Sequence, residues 1–156
     1  MMRESNDLIS VIQQHITEAD LAGPMSEERV TRAEQQLRLR FPPSYRRFLR
    51  AFGSGGVGPE EFFGLTRTDG AGIPNAIWYT LDQRKDGLPE SMIVVGASGY
   101  GTLYCLNITQ EDPEGEAPVV EWDPGLPSEK QSLLPIASSF AEFAISAIRD
   151  GLEGER

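Results

Sequence analysis

Two consecutive prolines, Pro42 and Pro43, constrain the fold most, because they separate two runs that each have helical periodicity. Proline cannot donate a backbone hydrogen bond, and the residue before it is pushed out of the helical region. We expect the first helix to begin at Ser26, an N-cap residue followed by acidic residues that suit a first turn. We expect it to continue to the prolines, because its apolar stripe recurs at spacings of three and four: Val30, Ala33, Leu37 and Phe41.

The second helix is predicted to start at Pro43, since proline suits the first position of a helix. Its apolar face is formed by Tyr45, Phe48, Leu49 and Phe52, and glycines follow it. The glycine-rich run 53–58 predicts a mobile turn. Two amphipathic helices that meet at a corner must cover their apolar faces, and strands further along the chain are the candidates.

Glu34 interrupts the apolar stripe of the first helix, since it lies roughly 40° from Val30 at about 100° per residue. A carboxylate in an apolar environment needs a partner. One interpretation is that Glu34 accepts hydrogen bonds from backbone or from a tyrosine hydroxyl near the second helix, because buried polar groups are normally satisfied. The other interpretation is a functional carboxylate in a pocket.

Several short motifs occur in a fixed order between about residue 27 and residue 148. They are Glu34, Leu37, Phe41, Pro42, Tyr45, Phe48, Leu49, Gly55, Gly56, Phe63, Gly64, Leu65, the run 93–96, Gly99, Tyr100, Gly101, the run 103–106 and the run 139–143. In order and spacing they resemble the SUKH superfamily, which includes the Smi/Knr-type cell-wall regulators of fungi. Many relatives carry an acidic residue after the hairpin glycine, where this chain has Thr102. The resemblance implies an α+β fold with a central antiparallel β-sheet and helices packed against it.

The rest of the chain fits one domain over residues 1–156, because no repeat or low-complexity linker divides it. Residues 1–25 are interpreted as an N-terminal helix and linker, and the core as about 26–150. A last helix begins near Ser139. We expect residues 151–156 to fray.

Besides a short strand over residues 60–65, which would bring Phe62 or Phe63 into the core, three segments are predicted to be strands: 91–97, 102–108 and 118–122. The first two form a hairpin around a glycine-containing turn and would lie in the middle of an antiparallel sheet. Residues 75–85 are predicted to form a helix. Residues 78–80 are of types that favour β-structure, so a strand is the alternative for this segment.

The net charge of −10 argues against binding to nucleic acid or an anionic membrane, since both need basic side chains. No apolar run approaches the roughly 20 residues of a membrane helix, and no signal-peptide pattern opens the chain. We therefore expect a cytoplasmic protein, either a monomer or a weak homodimer. The acidity attracts basic partners, or it serves solubility alone.

Catalytic chemistry is poorly represented in this sequence. His15 is the only histidine and Cys105 the only cysteine, so no metal site, cofactor site or nucleophile with a positioned base is predicted. Cys105 lies between apolar residues of a predicted strand and is expected to be a buried structural thiol. The sequence does not indicate an enzyme.

Aromatic residues beside turns and acids are typical of protein interfaces. We predict partner binding by a set of such residues, namely Glu60, Glu61, Asp69, Trp78, Tyr79, Asp82, Asp86, Tyr100 and Trp122. Each of these aromatics could instead belong to the core.

The resemblance implies that this chain is an immunity protein, since bacterial SUKH proteins typically bind and neutralise a cognate toxin, often a nuclease or deaminase. The partner would be a basic toxin domain whose active site is occluded. The alternative is a non-catalytic scaffold or regulatory module of the cell-wall-regulator type. A third possibility is a small-molecule-binding domain or cryptic enzyme that uses Glu34.

Overall fold

A computed structural model describes residues 2–68 and 75–154, with side chains described from residue 7 to residue 152. Its α-helices are α1 (Met2–Gln14), α2 (Glu27–Leu37), α3 (Pro43–Phe52), α4 (Ala76–Lys85) and α5 (Phe140–Gly154). Its strands are β1 (Ala19–Leu21), β2 (Gly55–Val57), β3 (Glu60–Phe62), β4 (Met92–Ala97), β5 (Leu103–Asn107) and β6 (Val119–Trp122). The predicted α+β class is confirmed.

The strands form two antiparallel three-stranded sheets, whereas the sequence indicated one central sheet. Strands β1, β2 and β3 follow each other in one sheet, and β4, β5 and β6 in the other. The sheets meet where the backbone N–H of Phe63, just after β3, donates to the carbonyl of Val95 at 2.9 Å. The hairpin strand β5 occupies the middle of its sheet, as its apolar sequence predicted.

Helix α2 begins as predicted but ends four residues earlier. The hydroxyl of Ser26 accepts the N–H of Arg29 at 3.1 Å, so Ser26 is the N-cap. The helix stops at Leu37 because Arg38 adopts the left-handed conformation with φ of 60°. The prediction that Phe41 extends the helical stripe is therefore wrong. Phe41 reaches the core from the connecting segment, where it is buried.

The glycine-rich run 53–58 is not a mobile turn, because Gly55–Val57 forms β2, the middle strand of the first sheet. Gly55 pairs with Leu21 on one side and with Phe62 on the other. Its φ is +132°, and a Cβ at this position would lie 2.1 Å from the carbonyl oxygen of Asp20. Glycine is needed here because the neighbouring strand approaches too closely for a side chain.

Both ends of the chain contribute to the core. Leu8 and Ile12 of α1 are buried with α3 and α5, so the core begins before residue 26. The predicted fraying from residue 151 is wrong for 151–154, because α5 continues to Gly154 and Leu152 is buried.

No helix in the described part of the chain combines the length and apolar character needed to cross a membrane.

The sheet β4–β6 is covered on both faces. Its Ile93, Val95 and Leu106 belong to the larger core with α1, α2, α3 and α5. Its other face packs against α4 in a smaller core that contains Phe63, Ala76, Met92, Val94, Leu103, Cys105, Val120 and Trp122. The helical interpretation of residues 75–85 is confirmed, since the side chain of Asn75 caps α4. Surfaces beside α5 and beside α4 are thus separated by the sheet.

Candidate protein-binding surface

An aromatic and acidic surface lies on the α5 side of the second sheet. Tyr104 of β5 stands directly between Gly96 of β4 and Glu121 of β6 in the strand register. The Tyr104 ring would lie 3.5 Å from a Cβ built at Gly96, and it packs against Phe143 of α5, with ring centroids 4.9 Å apart. Tyr104 is half-buried at the edge of the larger core.

The ionisable groups around Tyr104 are predominantly acidic. Burial raises the pKa of Tyr104, and the negative charges of Glu121 and Glu60 raise it further, followed by Tyr100. Burial also raises the pKa of Glu60, and Asp150 of α5 adds to this rise by repulsion. These interactions place five groups in one region, which we call the acidic patch: Glu60, Tyr100, Tyr104, Glu121 and Asp150.

Only two of the predicted partner-binding residues lie in the acidic patch, Glu60 and Tyr100. Glu61 is exposed on the opposite side of β3, because successive residues of a strand point to opposite faces. The prediction for Trp122 is wrong, since it is only 3% exposed and packs in the smaller core beneath α4. Asp69 lies outside the described residues.

The remaining predicted residues lie on or next to α4, across the sheet from the acidic patch. Trp78 is 40% exposed and lines a groove between α2 and α4, the α2–α4 groove. Tyr79 is half-buried and stacks on Phe63, with centroids 5.3 Å apart. Asp82 is half-buried, and Asp86 is exposed just past the end of α4. The predicted set is thus divided between two surfaces.

Glu34 is held by backbone, in agreement with the first interpretation of this residue. Its Oε2 accepts the N–H of Phe41 at 2.7 Å, and its Oε1 lies 3.5 Å from Nη2 of Arg46. No tyrosine hydroxyl contacts it in the described part, because the hydroxyl of Tyr45 donates to the carbonyl of Phe63 at 2.8 Å. Glu34 therefore fixes the segment between α2 and α3.

The other motif residues build the core and its turns. Phe41, Pro42, Tyr45, Phe48 and Leu49 are buried around the α2–α3 corner. Gly64 lies so close to Gly53 that a Cβ would be 2.0 Å from the Gly53 carbonyl oxygen. Gly99 and Gly101 have positive φ in the β4–β5 turn, while Gly56 pairs with Asp20 and Glu61 within the first sheet.

Three residues of the acidic patch were missed from the sequence: Tyr104, Glu121 and Asp150. Strand alternation could have indicated Glu121, because it lies on the face opposite to Val120 and Trp122. Asp150 could not be assigned, since its electrostatic interaction with Glu60 depends on how α5 packs on β3.

Two observations bear on metal and thiol chemistry within residues 2–68 and 75–154. No group of three His, Cys, Asp or Glu side chains in these ranges could hold a metal ion. Burial raises the pKa of the Cys105 thiol strongly, so this buried side chain is a poor nucleophile.

Comparison with known proteins identifies the family. The family model described as SMI1-KNR4 cell-wall matches residues 5–148. The chain belongs to the SMI1-KNR4 family. This family includes immunity proteins, and its members are generally non-catalytic immunity or scaffold proteins. The resemblance inferred from the short motifs is thereby confirmed.

Individual relatives of this SMI1-KNR4 protein are distant. It is 26% identical over 97 residues to the SPbeta prophage-derived uncharacterized protein YokK of Bacillus subtilis (strain 168). That match covers 62% of this chain and 45% of YokK, so it spans less than half of the relative's length. A crystal structure of a protein from Pseudomonas syringae pv. tomato has a TM-score of 0.61 at 19% identity, covering 86% of this chain and 93% of that chain. This likeness shows the shared fold.

Proposed function

We propose that this SMI1-KNR4 protein is a non-catalytic immunity protein that binds a cognate basic toxin domain in the cytoplasm and occludes its active site. The acidic patch would form the centre of the interface. Its carboxylates would take the place of an acidic substrate, such as nucleic acid, in the basic channel of the toxin. Membership in a family that includes immunity proteins supports this proposal.

The observation that carries the proposal is the exposure of Tyr100 at the end of the hairpin that also carries Tyr104 of the patch. Tyr100 is 95% exposed at the tip of the β4–β5 turn, so it makes almost no contact within the chain. The ring is presented by Gly99 and Gly101, whose positive φ angles shape the turn. An exposed aromatic residue of this kind can bury most of its surface against a partner, as interface hot spots do.

Charge should act mainly on the rate of association. The net charge of −10 and the clustered acids of the patch would steer a basic domain toward this face. Because salt screens such steering, we expect affinity to fall as ionic strength rises, with most of the change in the association rate. An affinity that does not change with salt would contradict the charge-based part of the mechanism.

The proposal can be tested by affinity capture from the source cells with two tagged baits. One bait is the wild-type protein, and the other carries Tyr100→Ala and Glu121→Lys, two changes at exposed side chains. We expect the wild-type bait to retain one basic protein that salt releases, and the double variant to lose it. Glu114→Lys is the matched control, because Glu114 is exposed in the loop beside α3, away from the patch.

The captured protein must then behave as a toxin. Its expression alone should arrest growth, and co-expression with the wild-type chain should restore growth while the double variant should not. Retention of several envelope or housekeeping proteins by both baits would contradict the immunity function and favour the scaffold alternative.

A further inference from the structure

We propose that the α2–α4 groove is a second binding surface, which accepts an acidic segment of a partner protein that carries a bulky apolar residue. This surface is distinct from the acidic patch, and its ligand has the opposite charge to the proposed toxin. The inference therefore does not depend on the immunity function.

The groove offers apolar surface that the described residues leave uncovered. It has a volume of about 320 Å³, and its apolar lining includes Leu65, Ile77, Trp78 and Leu81. Trp78 and Leu81 lie three residues apart on α4, hence on one face of the helix, and are 40% and 38% exposed. A cleft of this kind suits an apolar side chain of a peptide, as in helix-in-groove recognition.

The walls of the groove are fixed in position by hydrogen bonds. The Asn75 side chain accepts the N–H groups of Ile77 and Trp78, each at 3.0 Å, and so anchors the first turn of α4. On the α2 wall, the guanidinium of Arg29 donates to the carbonyl of Thr66 at 2.7 Å. A surface that is already ordered loses little conformational entropy when a ligand binds.

The basic side chains that line the groove favour a negatively charged ligand. Arg29 and Arg32 line it, and none of the described lining residues is Asp or Glu, although the chain as a whole is strongly acidic. Arg32 lies 3.3 Å from Glu28, but both side chains are largely exposed, and such surface pairs exchange partners readily. Guanidinium groups bind carboxylates with matched geometry, so an acidic segment fits and a basic one is disfavoured.

The two surfaces can be occupied at the same time. The acidic patch is formed by residues of β3, the β4–β5 turn, β5, β6 and α5, whereas the groove lies between α2 and α4, and no residue belongs to both. One chain could therefore bridge a basic partner and an acidic partner.

Selection from a library of random 12-residue peptides displayed on phage tests this proposal. The selection uses the full-length wild-type protein, with counter-selection on the double variant Arg32→Glu, Trp78→Ala. Both substituted side chains are exposed, and thermal unfolding should show that the variant stays folded. We expect enriched peptides to combine Asp or Glu with a bulky apolar residue.

The enriched peptides are then synthesised and titrated. We expect at least tenfold weaker binding to Arg32→Glu and unchanged binding to Arg40→Glu, a matched charge reversal at an exposed arginine that does not line the groove. The peptide should also protect tryptophan fluorescence from acrylamide quenching, because Trp78 is exposed while Trp122 is buried.

Three results would overturn the proposal. The first is that no peptide is enriched, and the second is that enriched peptides are basic or bind Arg32→Glu as well as wild type. The third is self-association of the wild-type chain that Arg32→Glu abolishes, which would assign the groove to a second copy.

Discussion

The carboxylate of Glu116 accepts two hydrogen bonds from Ser44, from its backbone N–H at 3.0 Å and from its hydroxyl at 2.9 Å. The Ser44 hydroxyl in turn accepts the N–H of Ala141 at 3.2 Å. Glu116 therefore ties the loop before β6 to the first turns of α3 and α5. Burial raises the pKa of the Glu116 carboxyl, and the two hydrogen bonds from Ser44 at the N-terminus of α3 act in the opposite direction.

Replacing Glu116 with alanine should destabilise the fold, because it leaves the buried N–H and hydroxyl of Ser44 without their acceptor. We expect Glu116→Ala to lower the free energy of unfolding by about 2 kcal/mol, the typical cost of leaving buried polar groups unpaired. Urea unfolding measures this change. Glu114→Ala, at an exposed position in the same loop, should change it by less than about 0.5 kcal/mol. Equal effects of the two substitutions would contradict this role.

Two motif glycines should respond differently to alanine. At Gly64 a Cβ would lie 2.0 Å from a backbone oxygen, so Gly64→Ala requires the backbone to move and should lower stability by about 3 kcal/mol or more. At Gly99 nothing lies within 4 Å, and only the φ of +85° opposes a side chain. Gly99→Ala should cost about 1 kcal/mol. Thermal or urea unfolding of the two variants shows which substitution lowers stability more. A larger loss for Gly99→Ala would show that the close approach of the Gly53 carbonyl is not the reason for glycine at position 64.

Local signals predicted the elements that depend on nearby residues. The Ser26 cap and the start of α3 at Pro43 each follow from side chains within one helical turn. The helix predicted for residues 75–85 is α4, and its cap is Asn75, which was predicted to lie inside the helix. The left-handed Arg38 that ends α2 has no such signal, because this conformation is usually occupied by glycine or asparagine. The sequence therefore extended α2 to Phe41 in error.

The candidate site was harder to predict because it depends on contacts between distant segments. Glu116 belongs to an acidic loop, yet its side chain is buried and accepts hydrogen bonds from Ser44, 72 residues away in the sequence. Trp122 was assigned to the surface because it lies beside acidic residues in the sequence. In β6 its side chain lies on the face of the sheet that α4 covers, and it is therefore buried. Glu60 and Tyr100 were selected from composition, whereas their common location follows only from the packing of β3, β5 and α5.

The pair Glu60 and Asp150 should make stability depend on pH. Burial and then Asp150 raise the pKa of Glu60 in the folded state, so the ionised form of Glu60 is disfavoured there. The contribution of Glu60 to the free energy of unfolding is therefore fully present at acid pH and is lost as pH rises through the raised folded-state pKa of Glu60. Asp150→Asn removes the repulsion and should make the protein more stable than wild type at neutral pH. The difference should vanish as pH falls through the folded-state pKa of Glu60.

Urea unfolding of wild type and Asp150→Asn across this pH range provides the measurement. Glu114→Gln removes the same charge at an exposed site and should give a difference that varies much less with pH. A stabilisation by Asp150→Asn that persists after Glu60 is protonated would show that the repulsion is not its cause.

Glu34 allows structural and functional roles to be separated. Alanine at this position leaves the N–H of Phe41 without its acceptor, so we expect Glu34→Ala to lower the free energy of unfolding by about 1–2 kcal/mol. In Glu34→Gln the amide oxygen can still accept that N–H, and only the interaction with Arg46 weakens, so the loss should be smaller. Neither change should alter binding at the acidic patch, since Glu34 acts on the segment between α2 and α3. Urea unfolding and titration with the captured partner test both statements. Weaker binding by Glu34→Gln at unchanged stability would instead assign Glu34 to a binding site, because a purely structural carboxylate can affect binding only through the fold.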